Sequence, residues 1–242
     1  NEIPTTRSTQ QLQSAIVVVD NSTGDIVALS GGVGEKTDFF AYNKATQAKL
    51  QTGSSMKPIS VYAPAFESGK VSPATVIQDL PYSYPNGPFP RNDNRVYSYS
   101  RTILSGIVRS VNTISVGTLE VNGAQYGYDF AKNKFHLSYL TDSYKTSNGQ
   151  SLSDVAQSPL ALGALTVGAT VRQMAAAYAT FPNDGVYREA RTYTKVYNNQ
   201  GKLVLDNEQQ SEQILSEKTV NYINYCLYQA VQEGTGTPAQ IR

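Results

Sequence analysis

Gly53-Ser54-Ser55-Met56-Lys57-Pro58-Ile59-Ser60-Val61-Tyr62-Ala63-Pro64-Ala65-Phe66 is the stretch on which the reading of this chain turns. A serine hydroxyl and a lysine amine stand three residues apart at the head of an apolar run. The run reads as a helix over residues 54–68, with Gly69 as its C-terminal stop. Spacing of three on a helix puts Ser54 and Lys57 on one face. An amine beside a hydroxyl at a helix N-terminus suits an activated serine nucleophile, because a neutral amine can take the hydroxyl proton and the helix dipole favours the alkoxide. On spacing alone a plainer assignment stands beside this one, with Ser54 as a helix N-cap and Lys57 as a surface lysine. The pattern Ser-x-x-Lys occurs once in the chain.

Downstream, Arg109-Ser110-Val111-Asn112 contains the single Ser-x-Asn of the sequence. Its two polar residues flank Val111 and point the same way on an extended or turn segment. One offers a hydroxyl for proton relay, the other an amide that can donate to a carbonyl. Ser110 or Asn112 is also a suitable N-cap for the apolar-periodic segment Ile114, Val116, Leu119.

Ser-x-x-Lys followed by Ser-x-Asn resembles the motif set of penicillin-binding proteins and serine β-lactamases. The resemblance extends well beyond the motifs. Residues 15–32 (Ala15-Ile16-Val17-Val18-Val19-Asp20 and Thr23-Gly24-Asp25-Ile26-Val27-Ala28-Leu29-Ser30) are similar to the opening hairpin of class A penicillin-binding proteins. Tyr42–Ala48, Ser158–Ala164, Ala175–Tyr187 and Glu233-Gly234-Thr235-Gly236 are similar to further family segments, in the right order over nearly the whole chain. The fold implied is α+β, with an antiparallel sheet, a helical lobe and a cleft between them, and residues 1–242 form the N-terminal part of one transpeptidase domain.

The resemblance also implies the chemistry. Ser54 would attack the carbonyl of the penultimate D-alanine of a peptidoglycan stem peptide, expelling D-alanine and leaving an acyl-enzyme that an amine of a neighbouring stem peptide resolves. Lys57 would be the base, Ser110 would relay the proton, Asn112 would hold the substrate amide, and the Ser54 N–H would supply one oxyanion donor. β-Lactam antibiotics would acylate the same serine. A β-lactamase, a D,D-carboxypeptidase and a non-catalytic penicillin-binding sensor remain rival assignments. The flanking sequence and Ser110-Val111-Asn112, where class A β-lactamases carry Ser-Asp-Asn, weigh against the first.

One departure stands out. The family's third motif, Lys-Thr-Gly, has no counterpart, since no Lys-x-Gly occurs. The resemblance therefore implies a C-terminal companion segment carrying Lys-Thr-Gly and the remaining sheet strands, without which residues 1–242 are expected not to fold alone. It likewise implies a longer, membrane-anchored parent acting on the extracytoplasmic face, with Asn1 as an internal boundary.

Composition fits this assignment and narrows the others. With 242 residues, 40% of them hydrophobic, the chain can bury a sizeable core. A formal net charge of +1 gives no electrostatic reason to expect nucleic acid. No run of about 18 apolar residues is present. Cys226 and His136 are the single cysteine and histidine, too few for an ordinary zinc site, and neither metal nor cofactor is expected. Cys226 reads as a buried helical residue, and His136 as packed or on the surface.

Secondary structure follows from punctuation. Residues 14–31 read as a hairpin turning at Asn21-Ser22-Thr23-Gly24. Residues 79–98, with Pro81, Pro85, Pro88 and Pro90 among Tyr82, Tyr84 and Tyr97, read as a loop. Helices are expected at 101–108, 112–121, 124–135, 170–181 (Val171, Met174, Ala175 and Tyr178 on one face) and 216–233, with a polar loop at 139–152. A second hairpin is expected across Asn199-Gln200-Gly201.

Overall fold

The computed structural model describes residues 12–36, 39–81, 83–84, 87–88 and 90–241; Tyr82 and Pro85 of the expected loop lie outside them. Strands β1 (Ile16–Val19) and β2 (Ile26–Ser30) form the first hairpin, antiparallel, with Val17 opposite Leu29 and a register shift between Val18 and Val19. Asp20 makes the turn: its carboxylate accepts from the Ser22 and Thr23 N–H groups, and its carbonyl accepts from Gly24 N–H.

The motif-bearing run is helical throughout but not uniform. It opens as a 3-10 turn at Gly53–Met56, widens to a π turn at Pro58–Tyr62 and ends as α1 (Ala63–Glu67). Pro58 and Pro64 explain the change, because each removes a backbone donor from the ladder. Ala63 N–H reaches back five residues to Pro58 O instead. Ser68 and Gly69 (φ +73°) end the run where the sequence places the stop.

Next come β3 (Val76–Asp79), the short β4 and β5 (Ser83–Tyr84, Gly87–Pro88) and β6 (Tyr99–Thr102). β3 pairs with β6, so the expected loop is the interior of an antiparallel hairpin. The helix expected from residue 101 starts two residues later: α2 spans Ile103–Val108, capped by the Thr102 hydroxyl. α3 (Asn112–Glu120) and α4 (Ala124–Asp129, continued by a π turn at Phe130–Lys134) match their expected spans. The polar loop carries the small pair β7 and β8 (Tyr144–Lys145, Ser151–Leu152). α5 (Gln157–Leu162), which the sequence reading did not assign as a helix, precedes α6 (Val171–Ala179), closed at its start by a Thr170–Gln173 capping box. β9 (Val186–Arg188) pairs with β12 (Ser211–Gln213), an unforeseen pairing, and between them β10 (Lys195–Tyr197) and β11 (Leu203–Asp206) form the expected second hairpin. α7 (Glu217–Glu233) closes the described fold.

The core lies in the helical body. Met56, Ile59, Val61, Tyr62, Ala63, Ala65 and Phe66 are all buried, and they meet Ile114 and Val116 of α3 and Leu160 of α5. Phe66 and Tyr222 of α7 pack edge to face at 5.6 Å. Cys226 is buried on α7, as expected. His136 is half-exposed and stacks on Tyr187. On α6 the expected stripe is displaced: Ala176 and Ala177 are buried, whereas Val171, Met174, Ala175 and Tyr178 are half-buried. The cause is that α6 is covered on two sides, by β1 and by β9. Among the described residues every sheet has two strands. Both sides of the first hairpin keep exposed apolar residues, Ile16 and Val18 on one and Val27 and Leu29 on the other.

Candidate active site

Three of the four residues singled out in the sequence meet at one point. Lys57, only 2% exposed, sends its amine into the loop between α2 and α3. Its Nζ donates to Asn112 Oδ1 at 2.7 Å and to the Ser110 carbonyl at 2.8 Å, and it lies 3.3 Å from Ser110 Oγ. These partners are 53 and 55 residues away in sequence. The surface-lysine assignment therefore fails. So does the N-cap assignment for the second motif: the N-cap position of α3 belongs to Val111, with no side-chain cap, and the Asn112 side chain bridges Lys57 and the Arg91 carbonyl. Ser54 is not an N-cap either, since that position belongs to Thr52.

Ser54 itself is exposed. It lies inside the 3-10 turn, a geometry that stacks residues three apart, so the local helix type favours the Ser54–Lys57 alignment more strictly than an α-helix would. The Lys57 N–H donates to the Ser54 carbonyl. Ser54 Oγ makes no hydrogen bond among the described residues, which leaves it open to an incoming carbonyl.

The loop bearing Ser54 is fixed from outside. Gly53 N–H donates to Gly163 O, and Gly163, at φ +71°, is the left-handed terminus of α5. A Cβ on Gly163 would fall 2.0 Å from Gly53 O, so only glycine permits this approach. From the other side Tyr178 Oη donates to the Ser55 carbonyl at 2.8 Å, and burial raises the phenol well above its ordinary range.

Ser110 occupies a left-handed conformation, φ +53°, which costs a non-glycine residue about 1 kcal/mol. Hydrogen bonds from Ser110 N–H to Ile107 O and from Val111 N–H to Gly106 O enforce it. α2 and α3 can close on this loop because Gly106 has no side chain: a Cβ there would meet Ile114 Cγ2 at 2.3 Å. Thr113, the residue after Asn112, is held by a buried hub that the sequence did not reveal. Asp79, 0% exposed, accepts from Thr113 Oγ1 (2.7 Å), Arg101 Nε (2.7 Å), Asn92 Nδ2 (2.8 Å) and Ser98 N–H (2.9 Å). Burial alone would raise its pKa, but the bonds from Thr113, Arg101, Ser98 and Asn92 overcome that and hold it at about 2.

Burial acts the other way on the lysine. With no carboxylate hydrogen-bonded to its amine, desolvation lowers the Lys57 pKa from 10.5 to about 8. The three contacts suit both protonation states. The ammonium donates to all three oxygens. The neutral amine can still donate to the Ser110 carbonyl and to Asn112 Oδ1, while the Ser110 hydroxyl, which can donate or accept, turns toward the nitrogen lone pair. The arrangement can therefore accept a proton and pass it on. Among the described residues no group of three or more His, Cys, Asp or Glu side chains is placed to hold a metal ion, and no helix is long and apolar enough to cross a membrane.

Comparison with known proteins follows the same lines. Residues 14–242 match the family model of the penicillin-binding protein transpeptidase domain. The chain is 32% identical to penicillin-binding protein 1A of Clostridium acetobutylicum, over 96% of this chain and 28% of that protein. It is 34% identical to penicillin-binding protein 1A of Clostridium novyi, over 94% and 26%. It is 30% identical to penicillin-binding protein 4 of Bacillus subtilis, over 94% and 34%. The chain thus spans well under half the length of these relatives. In fold it is similar to the crystal structure of penicillin-binding protein 1A from Haemophilus influenzae (TM-score 0.76, 23% identity, 95% of this chain and 38% of that one). It is also similar to the D,D-transpeptidase domain of a peptidoglycan glycosyltransferase from Eggerthella lenta (TM-score 0.67, 21% identity, 95% and 63%).

Proposed function

This chain belongs to the penicillin-binding protein transpeptidase family, and we propose that it carries the acylating half of a serine D,D-transpeptidase centre. The observation that carries the proposal is the convergence of Lys57, Ser110 and Asn112 around one buried, low-pKa amine. Neutral Lys57 takes the Ser54 proton as Oγ attacks the penultimate D-alanine carbonyl of a stem peptide. The C–O bond forms, the tetrahedral oxyanion collapses and the peptide C–N bond breaks. The proton passes through Ser110 to the departing D-alanine amine. Asn112 Nδ2, now bound to the Arg91 carbonyl, turns to the substrate amide. An acceptor amine of a second stem peptide resolves the ester by the same route in reverse. β-Lactams, which present a strained amide to the same serine, are arrested at the acyl stage.

The cation that grips the substrate carboxylate comes, on this reading, from a companion segment bearing Lys-Thr-Gly. The exposed apolar residues of β1 and β2 are consistent with such a partner. The parent protein would act at the extracytoplasmic face of the cell membrane. Peptide mapping after labelling with a tagged penicillin tests the reading: the adduct is expected on Ser54, with labelling abolished in Ser54→Ala. It should be cut at least a hundredfold in Lys57→Arg, because arginine stays charged. An adduct on Ser55 would overturn the assignment of the nucleophile, and normal labelling of Lys57→Arg that of the base.

A further inference from the structure

The turn that carries Ser54 is tethered at two points, one on each side of the serine. Before it, Gly53 N–H donates to Gly163 O at the end of α5. After it, the Ser55 carbonyl accepts from Tyr178 Oη at 2.8 Å, across 123 residues. The second tether fills a gap in the local ladder. In a 3-10 turn each carbonyl is served by the N–H three residues on, as Lys57 N–H serves the Ser54 carbonyl. For Ser55 that residue is Pro58, which has no N–H. Tyr178 brings a donor from α6 to the place where the turn lacks one.

α6 is built to hold that hydroxyl still. Its first turn is closed by the Thr170–Gln173 capping box, and Arg172 N–H donates to Ala45 O in the segment leading to the nucleophile. Leu50 and Ala169 exchange backbone hydrogen bonds just before α6 begins. The Tyr178 ring packs edge to face on Phe181 at 5.6 Å. Burial raises the phenol pKa, so the hydroxyl stays a donor over the whole range in which Lys57 titrates. Among the described residues that hydroxyl bonds to nothing but the Ser55 carbonyl, and so it has no contact with the amine of Lys57, Ser110 or Asn112 through a hydrogen bond.

We propose that Tyr178 is a positioning residue for the nucleophile, holding the Ser54 turn so that Oγ and the Ser54 N–H meet an incoming carbonyl together. The inference rests on the transpeptidase reading above and adds to it a residue that touches neither substrate nor reacting atoms. No bond to Tyr178 forms or breaks, and its hydroxyl passes no proton; it acts through the Ser55 carbonyl alone. Misplacing a reacting group by about 1 Å can cost about a hundredfold in rate, and one tether of two should carry a share of that. Loss of the hydroxyl therefore slows bond formation and leaves substrate binding and the lysine titration as they are.

The test uses the full-length protein and stopped-flow acylation by a penicillin as a function of pH, which separates the affinity of the non-covalent complex from the rate of bond formation. Tyr178→Phe keeps the ring and its packing. It should acylate about tenfold more slowly, with affinity within about twofold of wild type and the pH midpoint of acylation unchanged. Ala176→Gly, which weakens α6 but keeps the hydroxyl, should unfold at lower denaturant than wild type yet acylate within about twofold of it. A loss of less than about threefold in Tyr178→Phe, a loss confined to affinity, a shifted midpoint, or an equal rate loss in Ala176→Gly would overturn the positioning role while leaving the acylation reading intact. Failure of Tyr178→Phe to fold would do the same, since the hydroxyl would then serve the fold. Absence of a Ser54 adduct in wild type would overturn the reading and the role with it.

Discussion

The run Met56–Phe66 and the hairpin formed by β1 and β2 are written in similarly apolar residues, yet they end in opposite environments. Met56, Ile59, Val61, Tyr62, Ala63, Ala65 and Phe66 are buried. Of the hairpin, Ile16, Val18, Val27 and Leu29 are exposed, and Val17, Val19 and Ile26 are half-buried. The difference is one of coverage. The motif run has α3, α4, α5 and α7 around it, whereas β1 has α6 on one face. Only the first environment can strip water from an amine and supply it with three fixed oxygens, so the depressed pKa of Lys57 is a property of the helical body. The hairpin supplies a margin of the fold and no functional group to the Lys57 cluster.

Substitutions at the two places should separate them sharply. The largest effect is expected from Gly163→Ala. The new Cβ would collide with Gly53 O in a backbone conformation that disfavours alanine. Overpacking and strain together should cost about 3 kcal/mol and lower penicillin labelling of the folded fraction, because the displaced loop carries Ser54. Denaturant unfolding and labelling on one sample measure both. Unchanged labelling would separate the α5 contact from the chemistry and weaken the contrast.

A smaller effect comes from acid. The folded Asp79 pKa, about 2, lies below its ordinary value of 3.8. Its contribution is therefore complete above pH 4 and fades as pH falls toward 2. The difference corresponds to about 2 kcal/mol. Asp79→Asn should be less stable than wild type at pH 6, and its stability should fall less between pH 4 and 2.5. Parallel losses in the two proteins would show that the hub is not charged. Smallest of all, Val27→Thr at an exposed hairpin position should change stability by no more than about 0.5 kcal/mol, against about 1 kcal/mol for Ile59→Val in the body. A larger cost in the full-length protein would show that something covers Val27 there.

What could be read from the sequence follows the same division. Helices and hairpins with clear punctuation were legible: the stop at Gly69, the turn at Asn21–Gly24, and α7, expected over 216–233 and found at Glu217–Glu233. β3 and β6 were not, because Gln78, Asp79, Ser100 and Arg101 lack an apolar alternation and prolines fill the space between the strands. α5 was hidden by its brevity and by Pro159. Ser54, Lys57, Ser110 and Asn112 were found from two short patterns, but spacing could not say that Lys57, Ser110 and Asn112 converge, since burial of Lys57 depends on contacts across more than 50 residues. Asp79 carried no local signal, being one acid beside a proline-rich loop. Tyr178 was recognised as part of a helix stripe, while its hydroxyl bond to Ser55 is purely tertiary.

Proton transfer from Ser54 needs a buried Lys57 amine that gives up its own proton easily. Titration of Lys57 Nζ by NMR in the native protein, with Lys57→Met assigning the resonance, measures that property. The midpoint should fall near pH 8, more than two units below an ordinary lysine. The linked stability follows in sign: with the folded pKa depressed, the unfolded chain binds more protons between pH 8 and 10.5, so stability should rise with pH across that window in wild type and not in Lys57→Met. A midpoint at or above pH 10 would rule out Lys57 as the base for Ser54, because such an amine stays charged at neutral pH.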